Sequence, residues 1–177
     1  MTMIASSFLD ALLADGPAPD LAERMGLYAF LVGSWTMHAT VHGDDGAAHR
    51  GIGEVHASWV LAGRALQDVW ILPGLFHGTT LRIYDSALDA WHILWHDPLK
   101  QYYARQTGRA RDGGIVQTGW TDTGEAVRWS FAEMTPDSFR WLGERSRDSG
   151  RTWGLQADFR VRRVTARAAR PLAEACA

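Results

Sequence analysis

Gly33-Ser34-Trp35 stands where a short helical lead-in passes into the first of many alternating strands. A Gly-x-Trp at that junction lets the chain cross the floor of a small antiparallel barrel while the indole plugs the bottom. The far end of the chain answers it. Thr152 to Arg163 reads as the last strand and finishes Phe159-Arg160-Val161-Arg162-Arg163. In a closed barrel the first and last strands are neighbours, so one of these arginines is expected to stack on Trp35.

Outward from Gly33, turn chemistry recurs at hairpin spacing, the signal of an all-β meander. Gly43-Asp44-Asp45-Gly46, Ala62-Gly63, Pro73-Gly74, Asp97-Pro98, Asp112-Gly113-Gly114, Asp122-Thr123-Gly124, Thr135-Pro136-Asp137 and Asp148-Ser149-Gly150 separate the strands. Each favours tight chain reversal through a left-handed or fixed φ. The expected fold is all-β: an antiparallel up-and-down barrel of about ten strands, closure being the usual remedy for so many edges. Ahead of it, Ser7 to Ala14 reads as a short amphipathic helix stopped by Asp15-Gly16-Pro17. Asp20 with Glu23 reads as a capping box opening a second helix to about Phe30. These helices would lid or plug one mouth. The expected division is 1–32 helical segment, 33–163 barrel and 164–177 flexible tail.

A chain of 177 residues is one domain with enough length to bury a core. A net charge of −2 argues against a dedicated nucleic-acid or polybasic membrane binder. No apolar run reaches a membrane-spanning length. The lone cysteine, Cys176, can form no internal disulfide. With no basic-then-apolar leader, the expected location is cytoplasmic. Nine tryptophans are a heavy load, and large rigid indoles suit a barrel interior or an aromatic-lined pocket.

Alternation assigns the inward faces. Trp35, Met37, Ala39 and Val41 share one, as do Val55, Ala57 and Trp59. Trp91, Ile93 and Trp95 follow, then Val127, Trp129 and Phe131, then Phe139 and Trp141. The last strand is expected to add Trp153, Leu155, Ala157, Phe159 and Val161. Charges on such faces are costly unless paired, which makes them informative. Asp68 stands between Leu66 and Trp70, with Arg64 earlier on the same side. Tyr102 and Gln106 occupy similar positions on a later strand. Asp68 reads either as a general base or ligand-orienting acceptor, or as half of a buried pair with Arg64 or Arg82. His56 falls on the opposite face with His38, Gln67 and His92, and a β-bulge would turn it inward.

Other chemistry is thinly represented. His38 with His42, and His92 with His96, lie four apart, about 13 Å along a strand, so neither pair chelates a metal unaided. No metal or other cofactor is expected. Ser146-x-Asp148-x-Gly150-x-Thr152-Trp153 matches the Asp-box of sialidase propeller blades. One box in so short a chain reads as a structural hairpin. No nucleophile elbow, phosphate-binding glycine loop or Cys–His dyad is present.

Several segments together resemble a bacterial lipocalin-like (calycin) family of unknown function, the DUF1579-like barrels. They are Gly63-Arg64-Ala65-Leu66-Gln67-Asp68, Ile83-Tyr84-Asp85, Trp91-His92-Ile93-Leu94-Trp95, Phe139-Arg140-Trp141-Leu142-Gly143-Glu144 and the Asp-box hairpin. The resemblance runs from about Leu31 to Arg163 and implies the barrel but no reaction, since such barrels include carriers, lyases, hydratases and isomerases. It extends to nitrobindin-like ten-stranded barrels. Those carry a fuller glycine pattern after Gly-x-Trp and a proximal histidine, whereas Thr36-Met37-His38-Ala39 follows here. Haem is therefore not expected.

The leading expectation is a cavity binding a small apolar or aromatic molecule, lined by Trp35, Trp70, Trp95, Trp129 and Trp141. Arg64, Tyr102 and Gln106 would orient the ligand. The alternative is a cofactor-free lyase, isomerase, hydratase or hydrolase using Asp68 or His56 as acid/base. A third reading is a solid, indole-packed barrel acting as a homodimeric interaction module.

Overall fold

Ten antiparallel strands close on themselves, and each strand except the last pairs with the next in the chain. The structure, a computed structural model, describes residues 7–165. Cys176 and most of the expected tail, 164–177, lie outside the described residues. A two-residue strand β1 (Leu13–Ala14) precedes the barrel strands β2 (Gly33–His42), β3 (Ala48–Val60), β4 (Ala65–Leu72), β5 (Phe76–Asp85) and β6 (Ala90–Asp97). Then follow β7 (Tyr102–Arg111), β8 (Gly114–Thr121), β9 (Ala126–Ala132), β10 (Ser138–Ser146) and β11 (Gly154–Arg163). The last strand returns to the first, from Ala157 opposite Val41 to Arg163 opposite Trp35. Closure leaves β2 to β11 without an open edge.

The seam carries the arginine expected from the sequence. The guanidinium of Arg163 lies 4.0 Å from the centre of the Trp35 ring. Its nitrogens donate to the carbonyls of Phe30 and Val32 at 2.8 Å each and of Pro136 at 3.0 Å. The Trp35 indole N–H donates to the Leu31 carbonyl at 2.8 Å. Gly33 makes room for this arrangement: its φ is +120°, and a Cβ there would come within 2.8 Å of the guanidinium.

The lead-in differs from two α-helices. Helix α1 spans only Phe8–Leu12, capped by the Ser7 hydroxyl, before the chain straightens into β1 against Trp59 and Val60. Phe8, Leu9 and Leu13 remain exposed, so the apolar face of α1 is not packed on the barrel. The second helix is replaced by 3₁₀ turns at Pro19–Leu21 and Met25–Leu31. Neither turn has a side-chain cap, and Arg64 holds the Asp20 carboxylate in a fork at 2.9 and 3.1 Å. Three residues per turn bring positions i and i+3 onto one line. Met25, Tyr28 and Leu31 are accordingly all fully buried and plug this end of the barrel.

The last strand also departs from strict alternation. Gly143 pairs with Ala157 but Glu144 pairs with Leu155, leaving Gln156 as a bulge residue. Parity inverts beyond it. Leu155 is exposed, and Trp153 lies outside the barrel under the Arg128 guanidinium at 4.4 Å, so neither joins the interior as expected. The Asp-box hairpin is built as its residues suggest. Asp148 accepts from the Thr152 amide at 2.8 Å and hydroxyl at 2.7 Å, and the Trp153 indole donates to the Gly150 carbonyl.

Replacing Arg163 by Ala removes a cation–π contact and leaves partly buried carbonyls unmatched. The expected cost is about 3 kcal/mol, read as a lower urea midpoint at unchanged m-value. The hydrogen bonds around Asp148 lower its carboxyl pKa to about 2. Its contribution to the hairpin is therefore complete above the ordinary carboxylate range and lost as pH falls through about 2. A ¹³C carboxyl titration by NMR is expected to find that midpoint.

Candidate functional site

The plug closes one end of the barrel, and a cavity of about 260 Å³ opens toward the other. Its wall is a ring of aromatic side chains, each touching the next. Trp95 and Trp129 have centroids 6.1 Å apart, Trp129 and Trp141 5.5 Å, and Trp141 stacks on Phe159 at 4.9 Å. Phe159 meets Phe76 at 6.0 Å, and Phe76 returns to Trp95 at 6.2 Å. Trp70 sits against both Trp141 and Phe159. Strand alternation puts these rings inside, and Gly78 lets Trp95 fill its place, since a Cβ there would meet the indole at 2.5 Å.

Above this collar the mouth is polar, bordered by Asp97, Lys100, Tyr102, Glu125, Arg145 and Gln156. Asp97 is held by its own turn, accepting from the Leu99 amide at 3.0 Å. Arg145 pairs with Asp44 and with Glu125. Burial, with the Glu125 carboxylate adding to it, pushes the Tyr102 phenol up to about 12, so it stays a neutral hydrogen-bonding group near pH 7.

Below the collar lies a buried polar layer. Arg82 and Thr80 border the cavity. An Arg82 Nη1 N–H donates to Asp68 Oδ2, and the Thr80 amide donates to Asp68 Oδ1 at 3.2 Å. The Arg82 guanidinium also stands 5.1 Å from the centre of the Tyr28 ring. Burial pushes the Asp68 carboxyl up from its usual range, against the pull of the Arg82 charge and the Thr80 bond. The Tyr28 hydroxyl donates to Gln117 Oε1 at 3.0 Å, and burial raises that phenol strongly.

The structure thus gathers Trp70, Trp95, Tyr102, Trp129 and Trp141 around one cavity. It separates the remaining candidates. Trp35 is fully buried at the plugged end. Arg64 precedes β4 in a turn and points outward to Asp20, because strand parity begins only at Ala65. Gln106 is buried in the polar layer. His56 lies on the outer wall between the Ser34 hydroxyl and Glu54, and no bulge turns it inward. His38 registers with Ile52. Among the described residues no group of three or more His, Cys, Asp or Glu is placed to hold a metal, and no helix is long and apolar enough to cross a membrane.

Several site residues escaped the sequence reading. Phe76 was missed because Gly78 interrupts the strand signal ahead of Thr79. Arg145 and Glu125 look like ordinary surface charges until the loops converge on one mouth. Tyr28 and Gln117 meet across 89 residues, and local pattern carries no trace of that.

With this geometry in view, comparison with solved structures finds the same barrel elsewhere. The S-type phycobiliprotein lyase CPES from Guillardia theta matches with a TM-score of 0.55 at 12% identity, over 78% of this chain and 91% of that one. Rv2717c from M. tuberculosis matches with a TM-score of 0.56 at 13% identity, over 84% of this chain and 99% of the other. The fold is shared. At such identities nothing finer is carried over. No family model matches the sequence, and no curated protein matches it either.

Removing one partner of a buried pair strands the other charge. Arg82→Met is expected to cost about 3–5 kcal/mol, and the double variant Asp68→Leu with Arg82→Met to recover most of it. Urea denaturation of the three proteins checks this.

Proposed function

We propose that the barrel binds a small apolar or aromatic molecule within the aromatic collar. The observation that carries this is the cavity itself: about 260 Å³, a little under the usual range of ligand sites, walled by touching indole and phenyl rings. Rings fixed by their neighbours are already ordered, so stacking a flat guest on them costs little side-chain entropy. Polar groups at the mouth and floor give such a guest a direction. The resemblance to the bacterial lipocalin-like family of unknown function, which includes carriers among its wider relatives, agrees with this reading.

The catalytic alternative draws less support. Asp68 is committed to Arg82 and Thr80, and both members of that pair are buried. His56 faces solvent on the outer wall. Neither is positioned to move a proton within the collar. The likeness to a phycobiliprotein lyase is one of fold and brings no reaction with it. The packed-barrel alternative conflicts with an open interior of this size.

The test uses 1-aminoanthracene, a flat fluorophore that brightens in apolar surroundings. Saturable brightening is expected with the native protein. Ala157→Phe places a ring in the cavity and is expected to abolish it while leaving the far-UV circular dichroism unchanged. Equal brightening in a folded Ala157→Phe protein would place the probe elsewhere and refute the reading.

A further inference from the structure

Only one end of the cavity tolerates charge on a guest. The mouth opens to water, so an ionised group there keeps part of its hydration. The inner end meets Arg82, whose charge Asp68 already balances, and an ion sent that way would lose its water for no free partner. Besides Arg82, five charged residues line the cavity: Asp97, Lys100, Glu125, Glu144 and Arg145. The sign they favour depends on which of them already have partners.

Four of the five are committed. Glu144 holds Arg128 in a fork at 2.7 and 2.8 Å. Arg145 pairs with Glu125 at 3.4 Å and with Asp44, and Asp44 also takes Arg147 at 2.8 Å. Asp97 is 2% exposed, and its carboxylate accepts from the amides of Leu99 and Lys100 in its own turn. Lys100 remains. It is exposed, and among the described residues its ammonium meets no carboxylate. An unpaired lysine is ordinary on a surface turn, but this one borders an aromatic cavity with a second free donor two residues on. That donor is the half-buried Tyr102 hydroxyl, which has no hydrogen-bond partner among the described residues. With its phenol pushed up to about 12, it keeps its proton at neutral pH.

We infer that the ligand is a flat aromatic carboxylate, its rings in the collar and its carboxylate at the mouth, received by the Lys100 ammonium and the Tyr102 hydroxyl. This rests on the collar being the binding site. The two oxygens of a carboxylate can accept from both donors at once, and hydrogen bonds to an ion are the stronger kind. An ammonium guest would meet the free lysine charge, with every lining carboxylate already held by an arginine or by turn amides. The rings then supply shape, and the rim supplies the sign of the charge.

Three probes sharing one ring system test this by calorimetric titration: naphthalene, 2-naphthoate and 2-naphthylmethylammonium. In the native protein 2-naphthoate is expected to bind about tenfold tighter than naphthalene, the joint worth of a partly exposed ion pair and a charge-assisted hydrogen bond. It should also exceed the ammonium probe. Lys100→Met and Tyr102→Phe are each expected to cut the preference for 2-naphthoate about threefold while naphthalene affinity holds. Lys100 is exposed in a turn, so its variant is expected to fold as the native protein does. Lys100 is also the only lysine in the chain. Reductive methylation with ¹³C-formaldehyde therefore gives a single lysine resonance, which 2-naphthoate is expected to shift saturably at the affinity found by calorimetry.

Naphthalene binding reads the collar, and the ratio between probes reads the rim, so the two ideas fail separately. Naphthalene binding with no preference for 2-naphthoate overturns the inference and leaves the collar standing. So does a preference that survives intact in Lys100→Met or in Tyr102→Phe. Tighter binding of the ammonium probe overturns it in favour of a cation site among the lining carboxylates. Failure of all three probes to bind overturns the collar reading and this inference with it.

Discussion

The stacking of Arg163 on Trp35 joins the two ends of the barrel, and the rest of the structure depends on that junction. The guanidinium lies over the indole while its nitrogens hold the carbonyls of Phe30 and Val32, so one side chain ties the last strand, the first strand and the plug. Glycine suits position 33, because its φ of +120° strains other residues and a Cβ there would intrude on the guanidinium. With β11 bound to β2, the hairpins between have a single closed circuit to follow. Closure converts a row of hairpins into a vessel with one sealed end and one open end.

That asymmetry decides where chemistry can happen. Met25, Tyr28 and Leu31 occupy the sealed end by virtue of 3₁₀ spacing, and Tyr28 carries a hydroxyl into the interior. The interior is then layered: aromatic packing around Trp35, the Asp68–Arg82 pair with its neighbours, the collar, and the charged mouth. A buried ion pair is a weak stabiliser beside an apolar substitute of the same volume. This one lies between the packed core and the cavity, which Arg82 borders.

Fold and site were legible to different degrees in the sequence, for physical reasons. The strand count follows from turn residues and period-two alternation, which are local, and the partnership of Trp35 with a terminal arginine follows from Gly33-Ser34-Trp35 once the first and last strands are taken as neighbours. The inward tryptophans of the collar were legible for the same reason: a residue's face is set by parity with its neighbours. Parity failed only where register slipped or had not yet begun. Gln156 is the extra residue that turns Trp153 and Leu155 outward, and Arg64 lies in the turn before β4. The 3₁₀ plug was read as a helix because spacings of three and four overlap over so short a stretch.

What the sequence by itself determined is an all-β barrel with an aromatic interior, because hairpin connectivity and side-chain alternation depend on adjacent residues. Tertiary structure alone decided that Asp68 pairs with Arg82 rather than Arg64, and that His56 faces solvent. It alone decided that Tyr28 and Gln117 meet across the barrel, and that the aromatic ring encloses a cavity rather than a solid core. These are contacts between strands and segments distant in the chain. Their geometry is set by barrel closure and the packing of large rings, and neither quantity is a property of any local stretch of sequence.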